Sequence, residues 1–568
     1  MEKIFIKKLC LLTFTLMALS LSTKGEVQAA IYYIDGSNGS DKNAGNFNSP
    51  WKTLNKANSI IRAGDTVCLR GGEYKSAQIA PVNSGKTGKY IIYQNYENEK
   101  VIIFGANTQI SLNFNDYIKI SGINFRFPTY RWATILNCNY LIIDKCSFEG
   151  ITSSMDYNIF FVKNCDYAHF IDSSWDGINQ TDGRQHDMAV FENMSHSLWL
   201  RCYFGSATHD SFAAKKADSR SGYNVIKGCT FENLWRHSLV TGDPYHHWLI
   251  EKNTFKNGGS CYNSSPSIIA GEGHKTGRIS STIKHDGISF IIRNNILFGN
   301  DIDLTFRSLL GGKVDGLWFY HNTSYNQTKA LGNTIGGFAI YGEVQNGVTH
   351  VHVLNNIFWK FEGELNRQFS YQVYVKGKGI DRNKVDHNIF GREGEPGHYR
   401  WDIGDIEIRG PLKAIEKMTN SWENNLESNP KFVDADKHDF KLNKGSPAID
   451  AAIYMTLTKS GTESPSTSLV CNDVSWAFSG PYSPWSIDHP DISSDKIYFY
   501  QIDGTWVERE IRSIDYEKKE IKLNLPATWK NNTPIYYKKF EGAAPDIGAY
   551  EFVSDSIHLK APENLTIK

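Results

Sequence analysis

Apolar residues recur along this chain in short clusters rather than in helical stripes. Each cluster holds two or three apolar residues, a polar pair, Cys or Asn, any residue, and usually an aromatic. Clear copies are Leu141-Ile-Ile-Asp-Lys-Cys-Ser-Phe148, Leu198-Trp-Leu-Arg-Cys-Tyr-Phe204, Val225-Ile-Lys-Gly-Cys-Thr-Phe231 and Ile291-Ile-Arg-Asn-Asn-Ile-Leu297. The closing positions Phe125, Phe148, Trp175, Phe204, Phe231 and Phe255 are 23, 27, 29, 27 and 24 residues apart, and later copies close at Leu297, Ser324, Phe358 and Phe390 after longer insertions. A repeat of this length made of short strand-like copies predicts a β-solenoid. One coil cannot bury its own apolar face, so each must stack on the next.

Stacking places like residues in ladders. Cys146, Cys202 and Cys229 share one ladder position, taken later by Asn253, Asn295, Asn322, Asn356 and Asn388, while Cys138 and Cys165 share another. Amides bonded from coil to coil would satisfy one another in the interior, so these residues read as core rather than as a metal or redox site. The expected fold is therefore all-β, a right-handed parallel β-helix over residues 30–455. Ser49-Pro50 followed by Trp51 to Ile61, with Ala63-Gly64 as the stop, predicts a helix capping the first coil. A strand-rich stretch, 456–541, reads as a small β-rich insert, and 542–568 as the terminal strand of the β-helix cap with a tail.

Lys+Arg and Asp+Glu both number 61. No global positive field exists to recruit nucleic acid or an anionic membrane, so a polyanion must be met by a local cluster. Residues 1–29 have the form of a signal peptide: Lys3, Lys7 and Lys8, an apolar run from Leu9 to Leu21, and the small-residue site Val27-Gln28-Ala29. That run is short for a membrane span, and the mature protein is expected to be secreted and monomeric. Eight of the nine cysteines follow the signal peptide. Secretion invites disulfides, but the repeat predicts buried thiols instead.

Registering the coils on the repeat aligns Phe160, Ala189, Phe212, Leu239, Ile268, Leu304 and Phe338 as an inward row. Three residues further on, side chains point outward: Lys163, Glu192, Lys215, Gly242, Gly271, Arg307, Tyr341 and Lys376. Three residues before the inward row stand His186, His209 and Arg236. Small residues lie between (Ser211, Ala213, Ser238, Val240), giving a low floor flanked by cations, His and Tyr. This suits an anionic polysaccharide. Lys163, Lys376 and Glu192 taken singly are better explained by a solvated face. Lys215 with Trp235-Arg-His237 one coil later is hard to explain by packing.

The string Asp210-Ser-Phe-Ala-Ala-Lys215, with Trp235-Arg-His237 a coil later, resembles the catalytic stretch of the chondroitinase-B and alginate-lyase β-helix family. The segments around Tyr32 and Ala63, and the later Gly445-Ser-Pro-Ala-Ile-Asp450 and Pro545-Asp-Ile-Gly-Ala-Tyr-Glu551, resemble the caps and split terminal coil of secreted β-helix polysaccharide lyases. The resemblance implies Lys215 as base, Arg236 and His237 as its assisting pair, and Asp210 as a calcium ligand, with Asp187 beside it. It implies β-elimination from a uronate-containing chain. There a cation neutralises the carboxylate, Lys215 takes the α proton, and His237 or His209 protonates the leaving oxygen. A free Lys has a pKa of about 10.4, so this base needs a nearby cation and partial burial to titrate near neutrality. His186, Arg307, Tyr341, Lys376 and Lys163 would bind substrate. The Asp-x-Phe-Ala-Ala-Lys string also resembles, more weakly, a β-helix pectate lyase family. Two other functions stay open: a glycoside hydrolase using Asp187 and Asp210, about 5 Å apart by strand spacing, and a glycan-binding or adhesive β-helix without catalysis.

Overall fold

A computed structural model of the protein describes residues 28–553 apart from 151–157, 178–186, 206, 208–209, 216–220, 233–237, 243–245, 258–265, 273–289, 301, 309–313, 328–337, 343–347, 362–372, 378–382, 392–398, 404–405, 420 and 541. The chain winds through three sheets of 14, 13 and 12 strands among the described residues, parallel throughout except for the last pair of the third. One coil shows the plan. Ile142–Asp144 lies in the first sheet, Ser147–Glu149 in the second and Asn158–Asp166 in the third, and His169–Ile171 returns to the first. Alternate residues enter the core: Ile143, Phe148, Phe160 and Val162 are all fully buried. The corner between first and second sheets is turned by one left-handed residue, such as Lys145 (φ 51°), Arg201 (φ 53°) or Asn294 (φ 54°), directly before the ladder position.

The predicted ladder is present and longer than expected. Cys146 N donates to Ser173 Oγ (3.1 Å) and Cys202 N to Cys229 Sγ (3.3 Å). Then Cys229 N donates to Asn253 Oδ1 (2.8 Å), and each Asn backbone N–H donates to the next carboxamide through Asn295, Asn322, Asn356 and Asn388 to Asn425. The side-chain amides also donate, Asn322 Nδ2 to Ile292 O at 2.9 Å and to Asn356 Oδ1 at 3.0 Å. The seven described cysteines are buried thiols. Burial pushes that of Cys146 up to about 12.

The ends depart from expectation. Helix α1 spans Leu54–Ile60, later than predicted, with Thr53 rather than Ser49-Pro50 as its cap. The reason is that Trp51 is held by the first strand, its N–H donating to Tyr33 O at 2.9 Å. Asp41 accepts from Lys52 N and Thr53 N (both 2.9 Å), and Thr53 Oγ1 accepts from Lys56 N (3.2 Å). At the far end the solenoid's last strands are Trp422–Glu423 and Leu426–Glu427, short of residue 455. Tyr399–Ile403 and Ile406–Gly410 close the third sheet as an antiparallel pair, followed by α2, Leu412–Met418. The segments near 450 and 546 do meet, Asp450 N donating to Asp546 Oδ1 at 2.9 Å. They do not form the expected terminal strand. They lie against a coil corner, where Gly548 N donates to Asn355 O (2.8 Å) and Ala549 N to Thr323 Oγ1 (3.0 Å).

The insert forms an antiparallel sheet ordered Thr462–Val470, Glu520–Trp529, Trp506–Asp515, Lys496–Tyr500. Its apolar side, with Trp476, Phe478 and Trp485, packs on the outer face of the first sheet at Leu198, Val225, Leu249 and Ile291. A buried clamp fixes the contact. The Arg293 guanidinium, 1% exposed, donates to Glu251 Oε2 (2.6 Å), Asp495 Oδ1 (2.6 Å) and Tyr320 OH (2.8 Å). Burial pushes the Glu251 carboxyl up, but Arg293, Lys227 and Lys252 outweigh it and hold the group down to about 2. Asp495 has Arg293 as its main cation, and there burial wins and raises the carboxyl.

Asn322→Ala is expected to lower the unfolding free energy by roughly 2 kcal/mol or more in urea titrations, because several buried groups lose partners at about 1–3 kcal/mol each. A thiol reductant is expected to leave the wild-type midpoint unchanged. Arg293→Ala strands two buried carboxylates and is expected to cost about 3–5 kcal/mol by the same assay.

Candidate functional site

The third sheet carries the predicted face, and its register agrees with the inward row. Phe160 pairs with Ala189, Ala189 with Phe212, Phe212 with Leu239, Leu239 with Ile268, Ile268 with Leu304, and Leu304 with Phe338. The row continues to Val373 and Tyr399. Three positions on, Lys163 pairs with Glu192 and Glu192 with Lys215, then Arg307 with Tyr341 and Tyr341 with Lys376. One expected member is displaced. The register slips after Thr241, so Gly242 faces Glu272, and a carboxylate residue takes the place expected of Gly271.

Lys163 is half-exposed and lies 3.0 Å from Glu192 Oε2, whose side chain is 4% exposed. The lysine expected to meet substrate therefore also neutralises a buried carboxylate. Met188 N donates to Asp210 O at 2.9 Å, which keeps Asp187 and Asp210 side by side on adjacent coils. Asp210 is 2% exposed. Lys215, Arg307, Tyr341 and Lys376 are placed as strand residues, but their side chains lie outside the described residues. His186, His209, Arg236 and His237 also lie outside them.

The floor differs from expectation. Ser211, Ala213 and Ser238 point away from the core yet are fully buried under the chain's own atoms. Ser211 Oγ is satisfied by Gly205 O at 2.6 Å. Ser238 Oγ has no partner among the described residues.

For calcium, the described residues include no group of three or more His, Cys, Asp or Glu able to hold a metal. Asp187 and Asp210 supply hard oxygen donors in the right chemistry, but only part of the six to eight that calcium takes.

Sequence reasoning overlooked one feature beside this face. The turn from third to first sheet repeats as Phe114-Asn-Asp-Tyr117, Asn137-Cys-Asn-Tyr140, Asn164-Cys-Asp-Tyr167 and Asn193-Met-Ser-His196. Its first position is left-handed on every coil, with φ of 58°, 54°, 55° and 57° at Phe114, Asn137, Asn164 and Asn193. Its fourth stacks ring on ring, Tyr117 on Tyr140 at 4.4 Å and Tyr140 on Tyr167 at 4.9 Å, and reaches Tyr223 and His247. The periodic Tyr was the available signal.

This architecture is that of a parallel β-helix, and the chain resembles the β-helix polysaccharide lyases. Residues 32–306 match the family model of the right-handed β-helix region of Pel9A-like proteins. Among curated proteins, it is 24% identical over 456 residues to the uncharacterized protein YwoF of Bacillus subtilis, covering 72% of this chain and 90% of that one. It is 22% identical over 229 residues to a mannan endo-1,4-beta-mannosidase of Bacillus subtilis, covering 34% of this chain and 59% of that one. Among solved structures, pectate lyase Pel9A aligns over 92% of this chain and 96% of its own at 14% identity and a TM-score of 0.43.

Proposed function

We propose that the protein is a secreted polysaccharide lyase that cleaves a uronate-containing polysaccharide by β-elimination on the outer face of the third sheet. The observation that carries this is the strand register. Ala189, Phe212 and Leu239 pair in register on three successive coils, and Glu192 pairs with Lys215 on adjacent strands, which supports reading the outward positions of these coils as one row.

In this reading Lys215 removes the proton α to the uronate carboxylate. The electron pair left on carbon forms the double bond as the glycosidic C–O bond breaks, and His237 or His209 delivers a proton to the departing oxygen. Arg236 offsets the carboxylate charge that would otherwise oppose proton removal. Asp187 and Asp210 are the residues that would hold calcium, which when bound would add to that neutralisation. Arg307, Tyr341 and Lys376, in line along the same row, would extend binding to neighbouring sugars, with Lys163 and His186 at the other end.

A second reading is favoured by the adjacency of Asp187 and Asp210 on neighbouring coils, since one strand spacing of about 4.8 Å is close to the carboxyl separation a retaining hydrolase needs. The two differ in product. Incubation with alginate, unsulfated chondroitin and pectate, with and without a chelator, is expected to generate the ultraviolet absorbance of an unsaturated uronate on one of them. New reducing ends without that absorbance would replace elimination with hydrolysis. Lys215→Ala is expected to reduce kcat by about 10²–10⁴-fold with little change in binding, whereas Lys376→Ala should mainly raise KM.

A further inference from the structure

Directly beside the row of Lys163 and Glu192, the turns into the first sheet form an open groove of about 350 Å³. Its lining includes Phe114, Asp116, Asn137, Asn139, Asn164 and Asp166. The carboxamides bond along the helix axis, Asn137 Nδ2 to Asn113 Oδ1 at 3.2 Å and Asn164 Nδ2 to Asn137 Oδ1 at 2.8 Å. Below them Asp116 Oδ1 accepts from Asn139 N at 2.7 Å, and Asn139 Oδ1 from Asp166 N at 3.0 Å. The wall is thus preorganised, with polar groups repeating at about 4.8 Å, one strand spacing.

Phe114 breaks the pattern. The next three coils place Asn at this left-handed position, a residue that tolerates it, whereas Phe114 holds φ 58° with its side chain 71% exposed. Phe114 thereby sets an exposed ring, in place of an amide, at the mouth of a polar groove, where it can stack on the apolar face of a ligand ring. The charge of the groove narrows the partner. Among the described lining residues two are carboxylates and none is a cation. A uronate here would face like charge, whereas the hydroxyls of an uncharged sugar would find acceptors and amide donors.

We propose that this groove is a subsite for an uncharged sugar unit, which stacks on Phe114, and that the substrate consequently interleaves neutral sugars with uronates. The inference rests on the proposed polysaccharide-lyase reading and specifies its substrate class.

The test is calorimetric titration of the full-length protein and of Phe114→Asn, in the presence of chelator, with three hexasaccharides: hexagalacturonate, unsulfated chondroitin and rhamnogalacturonan. The substitution installs the residue the following coils use, so the backbone is preserved, which an unchanged thermal midpoint confirms. At least one alternating hexasaccharide is expected to bind wild type more tightly than hexagalacturonate, and Phe114→Asn to weaken it about tenfold while moving hexagalacturonate less than about twofold. Tightest binding of hexagalacturonate, equal or absent binding of all three, or an unmoved variant overturns the proposal. The two readings fail separately. Loss of binding in the variant without any ultraviolet-absorbing product sinks elimination alone, and product formation with an unmoved variant sinks the subsite alone.

Discussion

Parallel coils bonded at one strand spacing impose a single rule on this molecule: whatever occupies a position on one coil meets its counterpart on the next, about 4.8 Å away. The interior satisfies this rule with groups that are complementary to themselves. A carboxamide is both donor and acceptor, so Asn295, Asn322, Asn356 and Asn388 each accept from one neighbour and donate to another. A thiol is small and apolar enough to hold the same place where no amide is needed, as at Cys202 and Cys229. A charged ladder has no such solution. That is why the buried carboxylates Glu192, Glu251 and Asp495 are each met by a cation, Glu192 by Lys163 and the other two by Arg293.

The insert follows from the same constraint. The first sheet is apolar on both faces along several coils, with Leu198, Val225, Leu249 and Ile291 outside and Trp199, Ile226, Ile250 and Ile292 inside. A parallel sheet of this composition needs a cover on each side. The antiparallel module supplies the outer one, and the Arg293 clamp sets its position at a polar point in an otherwise apolar contact. The cover lies on the first sheet, so the face of the third sheet that bears Lys163, Glu192 and Lys215 is carried by a different side of the solenoid.

How much of this was legible depends on whether the physics was periodic. The repeat spacing, the inward row and the Cys and Asn ladder all follow from one coil repeating, and the strand pairing reproduces each of them. Asn425, the last rung, was missed because it follows a hairpin and a helix that interrupt the spacing. Non-periodic features were harder. Helix α1 begins at Leu54 because Asp41, eleven residues upstream of Lys52, caps its entry, a contact no local pattern announces. The slip at Thr241 exchanges Gly271 for Glu272 through a bulge, which alternation alone cannot foresee. The candidate site is built from loops on a periodic wall. The wall was readable, including the pairing that brings Glu192 and Lys215 together, whereas the burial of Ser211, Ala213 and Ser238 depends on what packs above them.

The outward row of the third sheet runs through Lys163, Glu192 and Lys215 and, beyond the slip that brings in Glu272, through Arg307, Tyr341 and Lys376, so cations and carboxylates are interspersed along it. The turn immediately beyond carries Asp116, Asn139 and Asp166, with no cation among the described residues that line it. On the proposed reading, a polymer charged on every unit would meet the carboxylates of the turn wherever it meets a cation of the row, whereas one that turns uncharged rings toward the turn would not.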